Sequence, residues 1–284
     1  MIEVTVIMTC FNRKEYTVRC INTLNEAESE DIRFNYVVVD DNSTDGTKAA
    51  VEELVRERGI NAYVLMGTGS LFYSGGMRKG IEWAKANLSD CEFFMLVNDD
   101  VRFDSASVAR MIALQEQEGR EQTSAAKGRV LVGATKDDEG KYSYGGVRYT
   151  KGISYIPVKP EDPDRSCDTF NANCVLIPGN IFMEAPNMDE VYNHSLGDFD
   201  YGLSLKRTGA QIEVFQEYIG ICNKNKLNGT WNDTSLSRKE RIRKKESVKG
   251  LPRGEWYHFL KKNFGVGTAL IKSVTPYIRI LFGR

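Results

Sequence analysis

The segment YVVVDDNSTDGTKAAVEELVRER, residues 36–58, contains a strand pattern, a turn pattern and a helix pattern in succession. Residues 36–40 form an apolar run of strand length, rich in β-branched valine. The Ser, Thr and Asp at 43–45 can cap a helix, and Gly46 eases the turn. The sequence therefore predicts a strand near 36–40 that leads directly into a helix near 47–58.

The same alternation recurs on both sides of this segment. Further strand-like runs are VTVIM (4–8), NAYVLM (61–66) and EFFMLV (92–97), and a second helix is predicted near 76–87. Nearly continuous apolar strands that alternate with helices are typical of a mostly parallel sheet covered on both faces. The fold class is therefore α/β, and ligands of such sheets bind beyond the carboxyl ends of the strands.

Composition sets the broad class of the protein. A chain of 284 residues, 41% hydrophobic and 27% charged, is large enough for one globular α/β domain with a smaller appendage. Its six cysteines have no CxxC spacing, which favours reduced thiols over a zinc site or a disulfide framework. The N-terminus lacks a basic region before its short apolar run, and no apolar run approaches about 18 residues. We therefore expect a cytoplasmic chain with no export signal and no membrane span.

Polar groups follow the first two predicted strands at their carboxyl ends. Phe11 could stack on a planar base or be buried, and Arg13 could face a phosphate or solvent. After the second strand stand two carboxylates, Asp40 and Asp41, although a helix cap needs only one oxygen. At least one of them could therefore bind a ligand such as the imide of uracil or a ribose hydroxyl.

The segment FFMLVNDDVRFD, residues 93–104, places Asp99 and Asp100 directly after an apolar strand. Adjacent carboxylates raise each other's pKa unless a cation neutralises them. Mg²⁺ and Mn²⁺ suit such a position, because one or two carboxylates commonly hold the ion together with phosphate oxygens. A surface loop with two aspartates is the alternative.

Several motifs in a fixed order resemble the family 2 glycosyltransferases of the GT-A fold. The resemblance covers about residues 1–220 and is closest to the non-processive bacterial enzymes that build capsule, O-antigen and other surface polysaccharides. It rests on VIMTCFNR (6–13), VVVDDNSTDGT (37–47), LVNDDV (96–101) and GDFDYGLSLKRTG (197–209). The segment GSLFYSGGMRKGIEWA, residues 69–84, is similar to the glycine-rich segment of rhamnosyltransferase-like members.

The resemblance implies roles for the residues at the strand ends. Phe11 would pack on the base of a nucleotide, with the neighbouring Asn12 and Arg13 in the same site. Asp41 would bond the uracil or thymine ring, and Asp99 would contact the ribose. Asp100 would hold a Mg²⁺ or Mn²⁺ ion that bridges the diphosphate.

The resemblance also has implications for the glycine-rich segment and for the DxD motif of the family, which corresponds to residues 98–100 here. Gly75, Gly76 and Arg78 could bring backbone amides and a guanidinium to the sugar diphosphate, although the glycines could also let a helix pack tightly on the sheet. Asn98 stands where the family often has the first Asp of the motif. Asn223 replaces a histidine that serves some members as a metal ligand, so it is a weak candidate ligand.

The segment LGDFDYGLSLKRTG, residues 196–209, predicts a helix over 198–207 with carboxylates in its first turn, where the helix dipole favours negative charge. The resemblance makes Asp198 the general base for an inverting displacement, with Asp200 as the fallback or an acceptor contact. Gly197 stands where the family usually has Glu. His194 and His258 are expected to be surface or packing residues, although His194 lies close enough in sequence to the base to contact the acceptor.

We divide the chain into a GT-A catalytic domain, 1–235, and a helical extension, 236–284. The catalytic domain has a nucleotide-binding half (1–104) and an acceptor-binding half (105–235). The extension contains 13 Lys and Arg residues against 3 Glu, interleaved with aromatic residues. This composition suits either an anionic membrane surface or packing on the catalytic domain or a partner chain.

The function expected from these features is metal-dependent, inverting transfer of a sugar from a UDP- or dTDP-sugar to a saccharide acceptor. The resemblance implies a lipid-linked acceptor in surface polysaccharide synthesis, with the enzyme peripheral on the inner face of the cell membrane and no nucleic-acid partner. A nucleotidyltransferase or a non-enzymatic nucleotide-sugar-binding protein remains the alternative. A processive synthase is not expected, because the chain has no QxxRW motif, and no P-loop motif occurs.

Overall fold

The computed structural model describes residues 1–121 and 128–283, apart from the side chains of residues 118, 120 and 121. The strands are β1 (Ile2–Cys10), β2 (Ile32–Asp40), β3 (Asn61–Met66), β4 (Phe93–Asn98), β5 (Arg102–Phe103), β6 (Arg129–Lys136), β7 (Gly146–Tyr149), β8 (Tyr155–Val158), β9 (Thr169–Phe170), β10 (Cys174–Pro178) and β11 (Gln211–Ile221). The helices are α1 (Lys14–Asn25), α2 (Thr47–Arg58), α3 (Phe72–Asn87), α4 (Ser105–Glu121), α5 (Gly179–Glu184), α6 (Gly197–Arg207), α7 (Arg238–Lys245), α8 (Arg253–Phe264), α9 (Val266–Lys272) and α10 (Thr275–Leu281).

The central sheet has eight strands in the order β3-β2-β1-β4-β10-β6-β11-β5. Strands β3, β2, β1 and β4 are parallel neighbours, whereas β10 runs antiparallel to both β4 and β6, and β5 runs antiparallel to β11. The prediction of a mostly parallel α/β sheet is therefore confirmed. A small second sheet, β8-β7-β9, lies beside it.

The register of β1 aligns the ends of the parallel strands. Cys10 lies opposite Asp40 of β2, and Thr9 lies opposite Asn98 of β4. In turn, Asp40 lies opposite Met66 of β3. The loops that leave these four strands therefore emerge side by side at one edge of the sheet.

The two faces of the sheet have separate apolar cores, because successive side chains of a strand point to opposite faces. Val4, Val6 and Met8 of β1 pack in one core, with side chains of α1, α2 and α4. Ile7 packs in the other core, with side chains of α3, α5 and α6. This two-sided burial explains why the strands are almost continuously apolar. All six cysteines are buried free thiols.

The C-terminal extension folds into α7 to α10 and packs against the rest of the chain. Lys262 of α8 forms ion pairs with Asp189 at 2.8 Å and with Asp200 at 2.7 Å. Glu255 accepts a 2.8 Å hydrogen bond from the side-chain amide of Asn193. The helical extension is therefore confirmed, and its helix α8 packs against earlier parts of the chain. None of the helices in the two described ranges is both long and apolar enough to cross a membrane.

One sequence prediction of local structure was wrong. Helix α3 begins at Phe72 rather than near 76, because the Asp41 carboxylate accepts the amides of Leu71 and Phe72 and so satisfies the start of the helix from a distance. After β10 the chain enters α5 directly, at Gly179. An added Cβ at Gly179 would lie 3.2 Å from the Glu92 carbonyl oxygen and closer still to that of Cys91.

We expect Gly76→Ala to lower the free energy of unfolding by about 1–3 kcal/mol, the usual cost of overpacking a filled core. An added Cβ at Gly76 would overlap the Thr9 hydroxyl and lie 2.7 Å from Thr9 Cβ, because α3 packs directly on β1. Urea unfolding measures the effect. Gly254→Ala is the matched control in α8, since its Cβ meets nothing within 4 Å. It should be neutral or slightly stabilising. Equal stability of the two variants would contradict the tight packing of α3.

Candidate active-site cleft

The strand ends open into a cleft of about 770 Å³. Its walls come from three parts of the chain. The strand-end loops supply Phe11, Arg13, Asp41, Asn98, Asp99 and Asp100; the middle supplies Tyr149, Tyr155, His194, Leu196, Asp198 and Phe199; the end supplies Trp231, Lys249, Trp256 and Arg279. The geometry places both proposed halves of the catalytic domain and the extension around one cavity.

The guanidinium of Arg13 contacts both carboxylates that follow β4. Arg13 Nη2 lies 2.8 Å from Asp100 Oδ2, and Arg13 Nε lies 3.5 Å from Asp99 Oδ1. Arg13 therefore faces these carboxylates in this structure. It supplies the neutralising charge that the sequence requires for an Asp-Asp pair.

The two carboxylates nevertheless have different surroundings. Asp99 is 5% exposed, and burial raises its pKa to about 7, with Arg13 opposing the rise and Asp100 adding to it. Asp100 is partly exposed at the cleft wall, where its Oδ1 receives only a long contact of 3.4 Å from the thiol of Cys222. Asp99 is thus a buried carboxyl group that is partly protonated near neutral pH, whereas Asp100 is a partly exposed carboxylate in the cleft wall.

Asp41 organises the loop between β3 and α3. Its Oδ1 accepts the amide of Gly69 at 2.7 Å, and its Oδ2 accepts the amides of Leu71 and Phe72 at 2.9 and 3.1 Å. Gly67 approaches so closely that an added Cβ would lie 2.5 Å from Asp41 Oδ1. The carboxylate is therefore a structural anchor as well as part of the cleft wall.

Asp40 and Asn12 join the loops that follow β1 and β2. Asp40 Oδ1 accepts the amide of Ser43 at 2.8 Å, while its Oδ2 is buried without a hydrogen-bond partner. The side-chain Oδ1 of Asn12 accepts a hydrogen bond from the backbone amide of Thr44 at 2.7 Å. The backbone amide of Asn12 donates to the Ser43 hydroxyl at 2.8 Å. Asn12 is exposed outside the cleft lining, so its observed role is to connect the two loops.

Asp198 lies in the first turn of α6 and faces the cleft. Its Oδ1 accepts the amide of Phe199 at 2.8 Å, and its Oδ2 accepts the amide of Ala172 at 3.4 Å. Burial raises the pKa of Asp198 to about 6, against the opposing effect of these amides. The carboxylate is therefore oriented, largely ionised at neutral pH, and more basic than an ordinary aspartate.

The segment before Asp198 is attached to α3 on one side and to the extension on the other. Ser74 donates its amide to the Asn193 carbonyl at 2.9 Å and its hydroxyl to the His194 carbonyl at 3.2 Å. Ser195 donates its hydroxyl to the Gly250 carbonyl at 2.9 Å. Gly197 lies against Ser74, where an added Cβ would be 2.8 Å from Ser74 Cβ. This close approach leaves no room for the Glu side chain that the resemblance implies before Asp198.

Backbone strain is concentrated around the cleft. Phe72 and Leu196, both in the cleft wall, have positive φ values of 52° and 69°. Asn12 and Asn42, in the loops after β1 and β2, also have positive φ. Positive φ is unfavourable for a bulky side chain and persists only where surrounding contacts hold it. Such strain is typical of functional sites, and here it marks the loops that enclose the cleft.

An aromatic group lines the cleft beside Asp198. Tyr155 is 55% exposed, and its ring centroid lies 5.7 Å from that of Phe199 and 6.0 Å from that of Tyr149. Across the strand-end loops, Phe11 is 46% exposed. Sequence reasoning identified Phe11 but missed Tyr149 and Tyr155, because they lie in a hairpin of β7 and β8 that no nearby motif marks.

Besides Asn12, four further candidates from the sequence do not line the cleft. Gly75 and Gly76 are buried in α3, against Leu71 and Thr9 respectively. Arg78 donates to the backbone carbonyls of Asp189 and Tyr192 at 3.2 and 3.4 Å. Asp200 is 1% exposed and binds Lys262 and Asn263. These positions fit structural roles, because none of the four lines the cleft.

The remaining polar candidates lie at different places in the fold. His194 lines the cleft, and burial together with Lys249 lowers its pKa. Asn223 forms hydrogen bonds with Asp138 rather than facing the acidic pair. His258 lies on α8, and its Nε2 is 3.0 Å from Asp189 Oδ2. Sequence reasoning also missed Trp231, Lys249 and Arg279 as cleft residues. Lys249 and Arg279 reach the cleft through the packing of the extension, and no motif marks Trp231.

The side chains of the cleft could hold a divalent cation only together with oxygen atoms of a bound ligand. The described residues contain no group of three or more His, Cys, Asp or Glu side chains arranged to hold a metal ion. Asp100 lines the cleft, and its Oδ1 receives a long 3.4 Å contact from the thiol of Cys222. Mg²⁺ and Mn²⁺ are commonly held in this way, by one or two carboxylates together with substrate phosphates and water. The residues therefore fit a metal that arrives with a phosphorylated ligand.

We expect Asp99→Asn to make the pH dependence of stability shallower. The pKa of Asp99 rises from its usual 3.8 to about 7, so the folded protein keeps a proton that the unfolded chain releases. Stability from this group is complete below about pH 4 and is lost as the pH rises through about 7. Urea unfolding across this range should show a smaller decline for the variant. Asp90→Asn, in an exposed turn, is the control. A wild-type decline in Asp99→Asn would contradict the shift.

Comparison with known proteins gives a consistent result. The model of the family described as "Glycosyl transferase family 2" matches residues 5–151, just over half of the chain. A teichoic acid poly(glycerol phosphate) polymerase of Staphylococcus epidermidis is 32% identical over 57 residues. That match covers 20% of this chain and only 8% of the length of the polymerase.

Solved structures show the same fold at low sequence identity. Residues 1–349 of S. aureus TarS, in complex with UDP-GlcNAc, align with a TM-score of 0.58 at 15% identity, covering 98% of this chain and 81% of the other. The mannosyltransferase PcManGT of Pyrobaculum calidifontis, in complex with GDP-Man and Mn²⁺, aligns with a TM-score of 0.58 at 11% identity, covering 99% and 73%. With the family match, the chain belongs to glycosyltransferase family 2 and is a glycosyltransferase of the GT-A fold.

Proposed function

We propose that the protein transfers a sugar, with inversion, from a UDP- or dTDP-sugar to a hydroxyl group of a saccharide acceptor. The observation that carries the proposal is the position of Asp198. Its carboxylate is oriented by two backbone amides in the same cleft as Phe11 and the Asp99–Asp100 pair. A base and a nucleotide-diphosphate site in one cavity are what a direct displacement requires.

The strand-end loops form the donor side of the cleft in this proposal. The exposed ring of Phe11 stacks on the base, and Arg13 closes the same side of the pocket. Asp41 Oδ1 has one amide partner and retains acceptor capacity for the imide N–H of uracil or thymine. Asp99, protonated for part of the time near neutral pH, can both donate to and accept from a ribose hydroxyl.

Asp100 is the proposed ligand for Mg²⁺ or Mn²⁺ at the donor diphosphate. Its oxygen toward the cleft has only the thiol of Cys222 as a protein contact. The bound ion would neutralise the charge that develops on the diphosphate leaving group. Arg13, which already contacts Asp100, would hold the carboxylate in place when the cleft contains no donor.

Asp198 performs the proton transfer. The acceptor hydroxyl oxygen attacks the anomeric carbon from the side opposite the diphosphate, and its proton passes to the Asp198 carboxylate. The bond between the anomeric carbon and the diphosphate oxygen breaks in the same step, so the configuration inverts. A pKa of about 6 keeps Asp198 mostly ionised at neutral pH while making it a stronger base than a solvent-exposed aspartate.

We further propose that the acceptor is a lipid-linked saccharide in bacterial surface polysaccharide synthesis, reached at the inner face of the membrane. The aromatic residues Tyr149, Tyr155 and Trp256 provide planar surfaces for sugar rings on the acceptor side of the cleft. The net positive charge of the extension suits an anionic membrane surface. The match to a teichoic acid polymerase, although short, supports a surface polymer as the product.

Asp198→Asn should lower kcat by about 10²- to 10⁴-fold, the usual contribution of a positioned general base. The binding of UDP should be unchanged, because the substitution keeps the shape of the side chain and lies away from the donor loops. Release of UDP from UDP-sugars, or of dTDP from dTDP-sugars, in the presence of saccharide acceptors gives the rate. Titration calorimetry gives nucleotide binding.

Asp200→Asn is the matched control two residues away. Asp200 contacts Lys262 and Asn263 outside the cleft, so its loss should lower thermal stability and leave kcat within a few-fold of wild type. Full activity in Asp198→Asn, together with loss of activity in a folded Asp200→Asn, would assign the base to Asp200 instead.

Removal of divalent metal should weaken UDP binding to the wild-type protein, and Asp100→Asn should abolish the difference between titrations with Mn²⁺ and with chelator. The physical reason is that Asp100 is the carboxylate through which the ion would connect the diphosphate to the protein. Asp90→Asn keeps the same charge change at a site remote from the cleft and should retain the metal effect. An equal metal effect in Asp100→Asn would refute the assignment, and failure of all UDP- and dTDP-sugars to bind would refute the proposed function.

A further inference from the structure

Large apolar side chains are unusually exposed in α9, α10 and the residues that adjoin them. The exposed fraction is 63% for Leu270, 67% for Ile271, 47% for Ile278, 49% for Leu281 and 76% for Phe282. Val266 and Val274 are 51% and 43% exposed. Seven such residues thus occur within 17 positions. Exposed apolar residues on a protein surface are usually scattered singly, so this cluster needs an explanation.

Helical geometry places three of these side chains on one outward face of α10. Pro276 and Ile280, four residues apart, are buried. Val274, Ile278 and Leu281 are spaced by four and three residues and therefore share the opposite face. The helix thus has a buried side and an apolar side that the protein leaves uncovered.

The charged side chains in the last part of the sequence are all basic. Residues 256–284 contain five Lys and Arg residues and no Asp or Glu. Lys261, Lys272 and Arg279 among them are exposed. Glu246, which accepts a hydrogen bond from Tyr277 of α10, is paired with Lys245 at 2.6 Å. An apolar face flanked by exposed cations is complementary to an anionic phospholipid surface, in which acyl chains lie beneath negatively charged head groups.

The two helices are held in a fixed position on the protein. Trp256 donates its indole N–H to the Lys272 carbonyl at 3.3 Å, which connects α8 to the end of α9. Tyr277 donates its hydroxyl to Glu246, and the Lys245 ammonium lies 4.1 Å from the centre of the Tyr277 ring. The outward face is therefore presented by packed helices rather than by a loose end.

The same helix contributes to the cleft from its inner side. Thr275, Pro276 and Arg279 line the cavity that contains Asp198. A surface that contacts the outer face of α10 therefore lies one helix diameter from the cleft, about 10 Å. A lipid-linked acceptor held in that surface could extend its saccharide into the cavity.

We propose that the outward face of α9 and α10, comprising Val266, Leu270, Ile271, Val274, Ile278, Leu281 and Phe282, inserts into the interface of an anionic lipid bilayer. The proposal rests on the membrane attachment put forward above and names the side chains that produce it. It does not depend on the chemistry at Asp198.

Flotation with vesicles tests the proposal. The full chain carrying Asp198→Asn should bind vesicles of phosphatidylglycerol and phosphatidylcholine, and bind pure phosphatidylcholine vesicles much less. Addition of Leu270→Ser and Ile278→Ser should reduce the partition coefficient by about tenfold or more, since two apolar side chains no longer leave water. The control is the pair Leu227→Ser and Ile156→Ser, whose side chains have the same exposures, 63% and 47%, elsewhere on the surface.

Three results would overturn the proposal: no binding of the parent protein to anionic vesicles, equal binding to both vesicle types, or an equal loss in the control pair. Sedimentation velocity adds a fourth, because dimers that Leu270→Ser and Ile278→Ser dissociate would assign the face to a second copy of the chain. Circular dichroism and UDP binding confirm that each variant is folded. The Asp198→Asn background makes vesicle binding independent of sugar transfer, so either proposal can fail without the other.

Discussion

The parallel pairing of β1 with β2 and β4 is the constraint on which the rest of the molecule depends. Its register sets Cys10 beside Asp40 and Thr9 beside Asn98, so acidic loops leave the sheet as immediate neighbours. That crowding has to be compensated locally. Arg13 meets the Asp99–Asp100 pair, and backbone amides of the next loop meet Asp41. The cleft is therefore a place where negative charge is concentrated and then partly balanced.

The carboxylates around the cleft differ in how they are balanced, and this difference separates their roles. Asp41 has three amide partners, Asp200 has a lysine and an asparagine, and both are nearly buried. Asp100 and Asp198 are only partly buried, and like Asp41 they line the cavity. Asp200 is thus held by the extension away from the cavity, whereas Asp41 both anchors a loop and faces the space that a ligand would occupy.

The sequence alone predicts the fold in considerable detail, because the strands are apolar runs of the correct length and the turns contain residues with a clear local function. The helix over 47–58 and the carboxylates after β2 and β4 could be identified for this reason. The start of α3 could not, since its first amides are satisfied by Asp41, which is 30 positions earlier. Arg78 was likewise misleading, because its partners are carbonyls of residues 189 and 192. Contacts between distant segments leave no periodic signal in the chain.

The attachment of the segment before Asp198 has a consequence for how this architecture can change. Ser74 of α3 holds the carbonyls of Asn193 and His194, while Glu255 and Gly250 hold Asn193 and Ser195 from the opposite side. The C-terminal helices are therefore not an interchangeable module that can be replaced to alter where the enzyme acts. A foreign extension would have to reproduce these attachments, or the same replacement would also redirect the proposed base relative to the strand-end loops.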